Sequence, residues 1–118
     1  MNAKKRLLLG NHDELDVGVY WKYFQKALLW RQFGYKTAGG DLDCALLCTH
    51  VPVYPDNLLF RYRGRCLNVH GHMHDKVVMR NGVPDTRYCN IACEFTNYTP
   101  VPHEWLLAKA RHLPLVDA

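Results

Sequence analysis

The sequence predicts an α/β fold, and three kinds of observation predict it. Short apolar runs that stop at a glycine or a proline-bearing turn, Leu7 to Leu9 and Cys44 to Cys48, read as buried strands. Stretches with apolar residues at helical spacing, one from Val17 and one from His103 to His112, read as helices. Polar turns carrying histidine follow the strand runs, which is where layered α/β architectures usually place their chemistry.

Lys5 to Leu9 is a short strand: a basic lead-in, three leucines, and Gly10 as the break. The turn Gly10-Asn11-His12-Asp13 then holds three polar side chains able to coordinate or to move protons. An Asx-turn or a helix cap accounts for its Asn and Asp equally well. Asp16 caps a helix from near Val17, with Val17, Tyr20, Phe24 and Leu28 as its apolar stripe. Lys26 to Phe33 reads either as the continuation of that helix or as a strand. Tyr35 to Gly40 is a loop, with Gly39-Gly40-Asp41 as a turn.

Asp43 to Thr49 is almost unbroken in its apolar character, the mark of a strand buried on both faces. It delivers His50 at its C-terminal end, and Pro52 stops the ladder beyond it. Pro55 to Phe60 forms a short helix, and Arg61, Arg63 and Arg65 lead from it into the strand Cys66 to Val69. Those arginines serve equally as a phosphate-facing cluster or as a solvated edge. Asp75 to Met79 reads as a strand before a tight turn at Asn81-Gly82. Arg87 to Phe95 reads as another strand, with Cys89, Ile91, Cys93 and Phe95 on one face. Asn97 to Pro102 is a loop, and the closing helix buries Trp105, Leu106 and Ala110. With no internal repeat, low-complexity tract or linker, the 118 residues read as one domain.

The stretch Asn68-Val69-His70-Gly71-His72-Met73-His74-Asp75 concentrates the chemistry. Three imidazoles at alternate positions around one glycine point to metal, since neutral imidazole is the commonest metal ligand. The other readings are an exposed histidine cluster in a turn and histidines bonded to core carbonyls. On a strand the three share a face. Gly71, lacking a Cβ, is expected to let the chain turn so that His72 and His74 diverge toward two neighbouring ions.

Composition narrows the setting. Apolar content of 48% and charged content of 22% are those of an ordinary globular protein, and the net charge of +4 is mildly basic. No apolar run approaches bilayer length and the basic start is not followed by a signal-like apolar stretch, so no membrane association and a cytoplasmic location are expected. Five cysteines without a C-x-x-C pair argue against a disulfide framework and against a zinc knuckle. They read as small buried hydrophobes.

The turns Gly10-Asn11-His12-Asp13, Thr49-His50-Val51-Pro52 and Gly71-His72-Met73-His74 occur in that order. Together they resemble the later motifs of the calcineurin-like metallophosphoesterases: G-N-H-[D/E], a lone His at a strand end, and G-H-x-H. The resemblance runs from about Lys5 through the histidine-rich turn and extends into Asn90 to Pro100. It implies a partial αββα sandwich, mixed β-sheets flanked by helices and lacking the N-terminal strands. It implies that Asn11, His50 and His72 ligate one ion and His74 the other, with manganese, iron, zinc or nickel all suited to such donors. His12 would stand beside the substrate phosphate, with Asp13 orienting its ring, while His70 and Asp75 have no assigned role and either support the ligands from behind or serve the structure alone.

The reaction implied is hydrolysis of a phosphate mono- or diester, with a nucleotide or nucleic acid among the candidate substrates. Two divalent ions would lower the pKa of a bridging water and clamp the phosphoryl oxygens. The family's earlier motifs, D-x-H and G-D-x-x-D, which supply the bridging carboxylate, have no counterpart here. The chain therefore reads as the C-terminal portion of such a domain, completed by a separately supplied N-terminal half or engaged in self-association. The alternative is a catalytically inactive metal-binding remnant acting as an interaction or regulatory module.

Overall fold

A computed structural model describes residues 6–8, 26–59 and 62–116, and shows a mixed α/β architecture of small sheets and few helices. Strands β1 (Arg6–Leu8) and β2 (Lys26–Leu28) pair in parallel. The main sheet contains β3 (Trp30–Lys36), β4 (Leu42–Thr49), β5 (Cys66–His70) and, after the small hairpin strands β6 (Met79–Arg80) and β7 (Val83–Pro84), β8 (Tyr88–Asn90). Its order is β3-β4-β5-β8, with β3 antiparallel to β4 and the other three parallel. Helix α1 (Asp56–Leu59) is a single turn, and α2 (His103–Arg111) is the longer closing helix. The turn Gly10 to Asp13 and the helix expected from Val17 lie outside the described residues, except that Leu28, the last residue of its stripe, stands in strand β2.

The alternation of β4 shows why it occupies the interior. Cys44 and Leu46 join Leu67, Val69 and Cys89 on one face, where Leu106, Ala110 and Leu113 cover them. Ala45 and Leu47 join Cys66 and Leu58 on the other, packed by Val53, Tyr62 and Tyr88. A strand clothed on both sides has no use for polar positions, so the near-continuous apolar run is the sequence image of this placement. All five residues of β5 are buried, which makes Asn68 and His70 exceptions to be explained by the site below.

Several expectations change in detail. Lys26 to Phe33 resolves as strand, β2 and the start of β3, because Trp30 to Lys36 finds a ladder partner in β4. The long strand expected from Arg87 to Phe95 stops at Asn90, whose side-chain oxygen accepts the Ala92 N–H at 2.9 Å and turns the chain. Ile91, Cys93 and Phe95 are consequently exposed. The expected strand from Asp75 survives only as β6, folded onto β7 through Asn81 and Gly82 with φ of 52° and 81°, a pattern that suits the hairpin turn with both central residues left-handed. In α2, Leu106 and Ala110 are buried, but Trp105 is 47% exposed and carries the Lys109 ammonium 4.3 Å from its ring centre. All five cysteines are free thiols, and Cys44, Cys66 and Cys89 are buried. Among the described residues no helix is long and apolar enough to cross a membrane.

Below the sheet's His-bearing edge, Asp85 forms the shortest ion pair among the described residues, with Arg87 Nη2 2.6 Å from its carboxylate and the Arg87 N–H also donating to it. The guanidinium holds the Asp85 carboxyl below its ordinary value of 3.8. Because folding depresses this pKa, the unfolded chain takes up the proton first as pH falls. The stabilisation is whole above about 3.8 and drains away as pH drops through the folded value. Asp85→Asn is expected to cost about 2 kcal/mol at neutral pH and to flatten the acid limb of stability. Urea midpoints across that range check this, and equal acid sensitivity in both proteins would contradict it.

Candidate functional site

Because β4, β5 and β8 are parallel, their carboxyl ends lie along one edge of the sheet, the position at which open α/β sheets bind ligands. That edge carries His50 after β4, His70 at the end of β5 with His72 and His74 beyond it, and Asn90 at the end of β8. The ends are laced together by backbone: the Gly71 N–H donates to the His50 carbonyl at 2.9 Å and the Ile91 N–H to the His70 carbonyl at 2.8 Å. Asn68 braces the same edge from beneath. Its amide donates to the Leu47 carbonyl at 2.9 Å and to Thr49 Oγ1 at 3.0 Å, and its oxygen accepts the Val53 N–H at 2.9 Å.

On this frame His50 and His72 converge. His72 Nδ1 stands 3.3 Å from His50 Nε2, with ring centres 5.1 Å apart and the planes inclined at 76°. Two nitrogens bound to one tetrahedral ion at about 2.05 Å each would be about 3.4 Å apart. The spacing therefore fits a shared cation, and it equally fits an N–H···N hydrogen bond between neutral rings. The backbone that aims His72 is unusual. Met73 N–H donates to the Gly71 carbonyl at 2.7 Å, closing a three-residue turn around His72, whose φ is 66°. A side chain at positive φ in so tight a turn is strained, and surrounding contacts must hold it there. The expectation that Gly71 supplies this freedom is corrected: His72 and His74, with φ of 66° and 54°, adopt the left-handed conformations. A Cβ on Gly71 would meet nothing closer than His50 Nδ1 at 3.7 Å.

The other histidines diverge. His70 is fully buried against Tyr88, and its Nδ1 donates to the Gly71 carbonyl at 2.9 Å. Burial pushes its imidazole below the ordinary range, opposed by that hydrogen bond, so it is held neutral. It supports the strand end, with its ring against Tyr88. His74 is exposed, and its Nδ1 lies 3.3 Å from Glu94 Oε2. Asn11, His12 and Asp13 lie outside the described residues. Among the described residues, no group of three His, Cys, Asp or Glu shares one point where an ion could sit.

Glu94, Asn90 and Asn68 are participants that spacing alone did not single out. Asn68 was legible as a polar residue inside a buried strand, a position that demands a partner. Arg65 of the arginine cluster, by contrast, is removed from this edge. Arg65 enters β5 at its opposite end, about 16 Å of strand away, and donates to the Leu113 carbonyl at 3.0 Å beside Asp43. An open cleft of about 500 Å³ between α2 and the loop after β7, walled by Tyr88, Trp105 and Lys109, reaches the edge at Asn90. Comparison of the chain with protein families, curated proteins and solved structures yields no match.

Proposed function

We propose that this chain contributes the imidazole half of a metal-dependent phosphoesterase centre, acting on phosphate mono- or diesters. The observation that carries the reading is the convergence of His50 and His72, from two strand ends, at a nitrogen spacing suited to one divalent ion. A bound pair of ions would supply charge neutralisation for the phosphate and an acidified water near neutral pH. The chain's own residues have separate tasks. His50 and His72 offer nitrogen lone pairs, and Asn11 is assigned to the same ion as an amide-oxygen ligand. His74 is the ligand to the neighbouring ion. His12, in its protonated form, is placed by its motif to stabilise developing charge or to protonate the leaving oxygen. Imidazole, amide and carboxylate donors together suit manganese, iron, zinc or nickel.

The test is hydrolysis of a chromogenic phosphodiester by the full chain in manganese, alongside calorimetric titration of the metal. His12→Ala is expected to lower turnover by about 100- to 10,000-fold while leaving metal affinity unchanged. Turnover insensitive to that change removes His12 from the chemistry. Tight metal binding without any turnover would favour the second reading, a metal-binding module with an interaction or regulatory role, in keeping with the missing D-x-H and G-D-x-x-D motifs.

A further inference from the structure

Glu94 meets His74 although the two lie on different loops, and the reason is a single buried amide. Asn90 is 3% exposed and stands beside His70 in the β5–β8 register. Its Nδ2 donates to the carbonyls of His74 at 2.9 Å and Lys76 at 2.7 Å, which fixes the turn that presents His74. Its Oδ1 accepts the Ala92 N–H at 2.9 Å, which starts the turn that presents Glu94. That second turn is closed on itself by Phe95 N–H to the Ala92 carbonyl at 3.0 Å and Tyr98 N–H to the Cys93 carbonyl at 2.8 Å. Both loops thus hang from one side chain, and the Nδ1 to Oε2 distance of 3.3 Å is the result.

At 3.3 Å the two atoms are within ion-pair reach, and because a carboxylate can only accept, a neutral His74 that closes this contact to a hydrogen bond does so with its proton on Nδ1. Its Nε2 is then a lone pair. Carboxylate–imidazole pairs of this kind fix the tautomer and raise the basicity of metal-binding histidines. Resting on the metal-centre reading above, we propose that Glu94 is a positioning residue for His74: its carboxylate keeps the proton on Nδ1 and so reserves Nε2 as the nitrogen that takes a divalent cation. The pair is exposed on both sides, His74 at 77% and Glu94 at 44%, so it contributes little to folding. A purely structural role would therefore leave the following readouts unmoved.

The first readout is the tautomer of His74 in the metal-free chain, taken from long-range proton–nitrogen couplings of histidine-labelled protein at a pH where the ring is neutral, with His74→Gln identifying its signals. In the intact chain the proton is expected on Nδ1. In Glu94→Ala it should move to Nε2, which imidazole prefers in water, whereas Glu94→Gln, whose amide oxygen still accepts, should keep most of it on Nδ1. The second readout is manganese titration, where Glu94→Ala should weaken the His74 site by about 10- to 100-fold and Glu94→Gln by less. An unchanged tautomer in Glu94→Ala overturns the proposal, as does unchanged affinity at a site that His74→Gln abolishes. If the intact chain binds no manganese but the Glu94-dependent tautomer is present, the phosphoesterase reading falls and the orientation of His74 by Glu94 stands.

Discussion

Replacing His72 by alanine should abolish tight divalent-metal binding by the chain, a loss of at least about 100-fold, read by titration and by metal content after gel filtration. The magnitude follows from the geometry. With His50 Nε2 and His72 Nδ1 only 3.3 Å apart, each ring would, on the proposed reading, supply one of two imidazole nitrogens to a common ion, and removing either would leave a site that one imidazole holds poorly. His50→Ala should therefore lose as much, and the double variant should be no worse than either single one, because the two act as a unit. His72→Gly separates ligation from backbone strain. Glycine accepts the left-handed φ of 66° freely, so this variant should lose the metal while folding as stably as the intact chain or up to about 1 kcal/mol more so. Metal retained in both His72 variants would remove the pair from any metal site and leave the contact as a hydrogen bond between two rings.

How much of this was legible in the sequence depends on what each residue touches. β4 and β5 could be read because burial on both faces leaves a local trace, a run with no polar alternation. The convergence of His50 with His72 could be anticipated only by combining separate turns, since parallel strands bring their carboxyl ends to one edge whatever their spacing along the chain. Where the reading went astray, a nonlocal contact decided. Cys89 to Phe95 carries a period suited to a strand, but the ladder ends where β5 gives way to the His-bearing turn, and Asn90 uses its side chain to cap that turn instead. Trp105 lies at helical spacing from buried positions, yet it stays half-exposed on the wall of the cleft it shares with Tyr88 and Asn90 of β8. Gly71 drew attention as the flexible point, whereas the contortion falls on the histidines, which side-chain contacts hold in place. The meeting of His74 with Glu94 left no trace in spacing because it depends on Asn90, a residue that reads as an ordinary position inside the strand expected from Arg87 to Phe95.

Asn68→Leu should be among the most destabilising single substitutions in the main sheet, by about 3 kcal/mol, and should weaken metal binding as well. The first effect is an accounting of hydrogen bonds. Asn68 has no exposed surface, and its amide serves the Leu47 carbonyl, Thr49 Oγ1 and the Val53 N–H at once. Leucine fills much of the space but satisfies none of them, and each net hydrogen bond lost is worth about 1 kcal/mol, more where a partner remains buried and unpaired. The second effect follows from where those partners sit. Thr49 immediately precedes His50, its hydroxyl also donates to the Val51 carbonyl at 2.6 Å, and Val53 anchors the return of the same loop. Without Asn68 the loop that aims His50 loses two of its tethers, so the imidazole should wander from its place beside His72. Asn68→Asp divides the two effects: it keeps an acceptor for Val53 but turns a carboxylate oxygen toward the Leu47 carbonyl, so it should destabilise by a comparable amount while preserving more of the loop. Urea denaturation with an unchanged slope would report the stability loss, and manganese titration the displacement of His50. A leucine variant as stable as the intact chain would mean that the buried amide is not the brace of this edge, and the alignment of His50 with His72 would then need another cause.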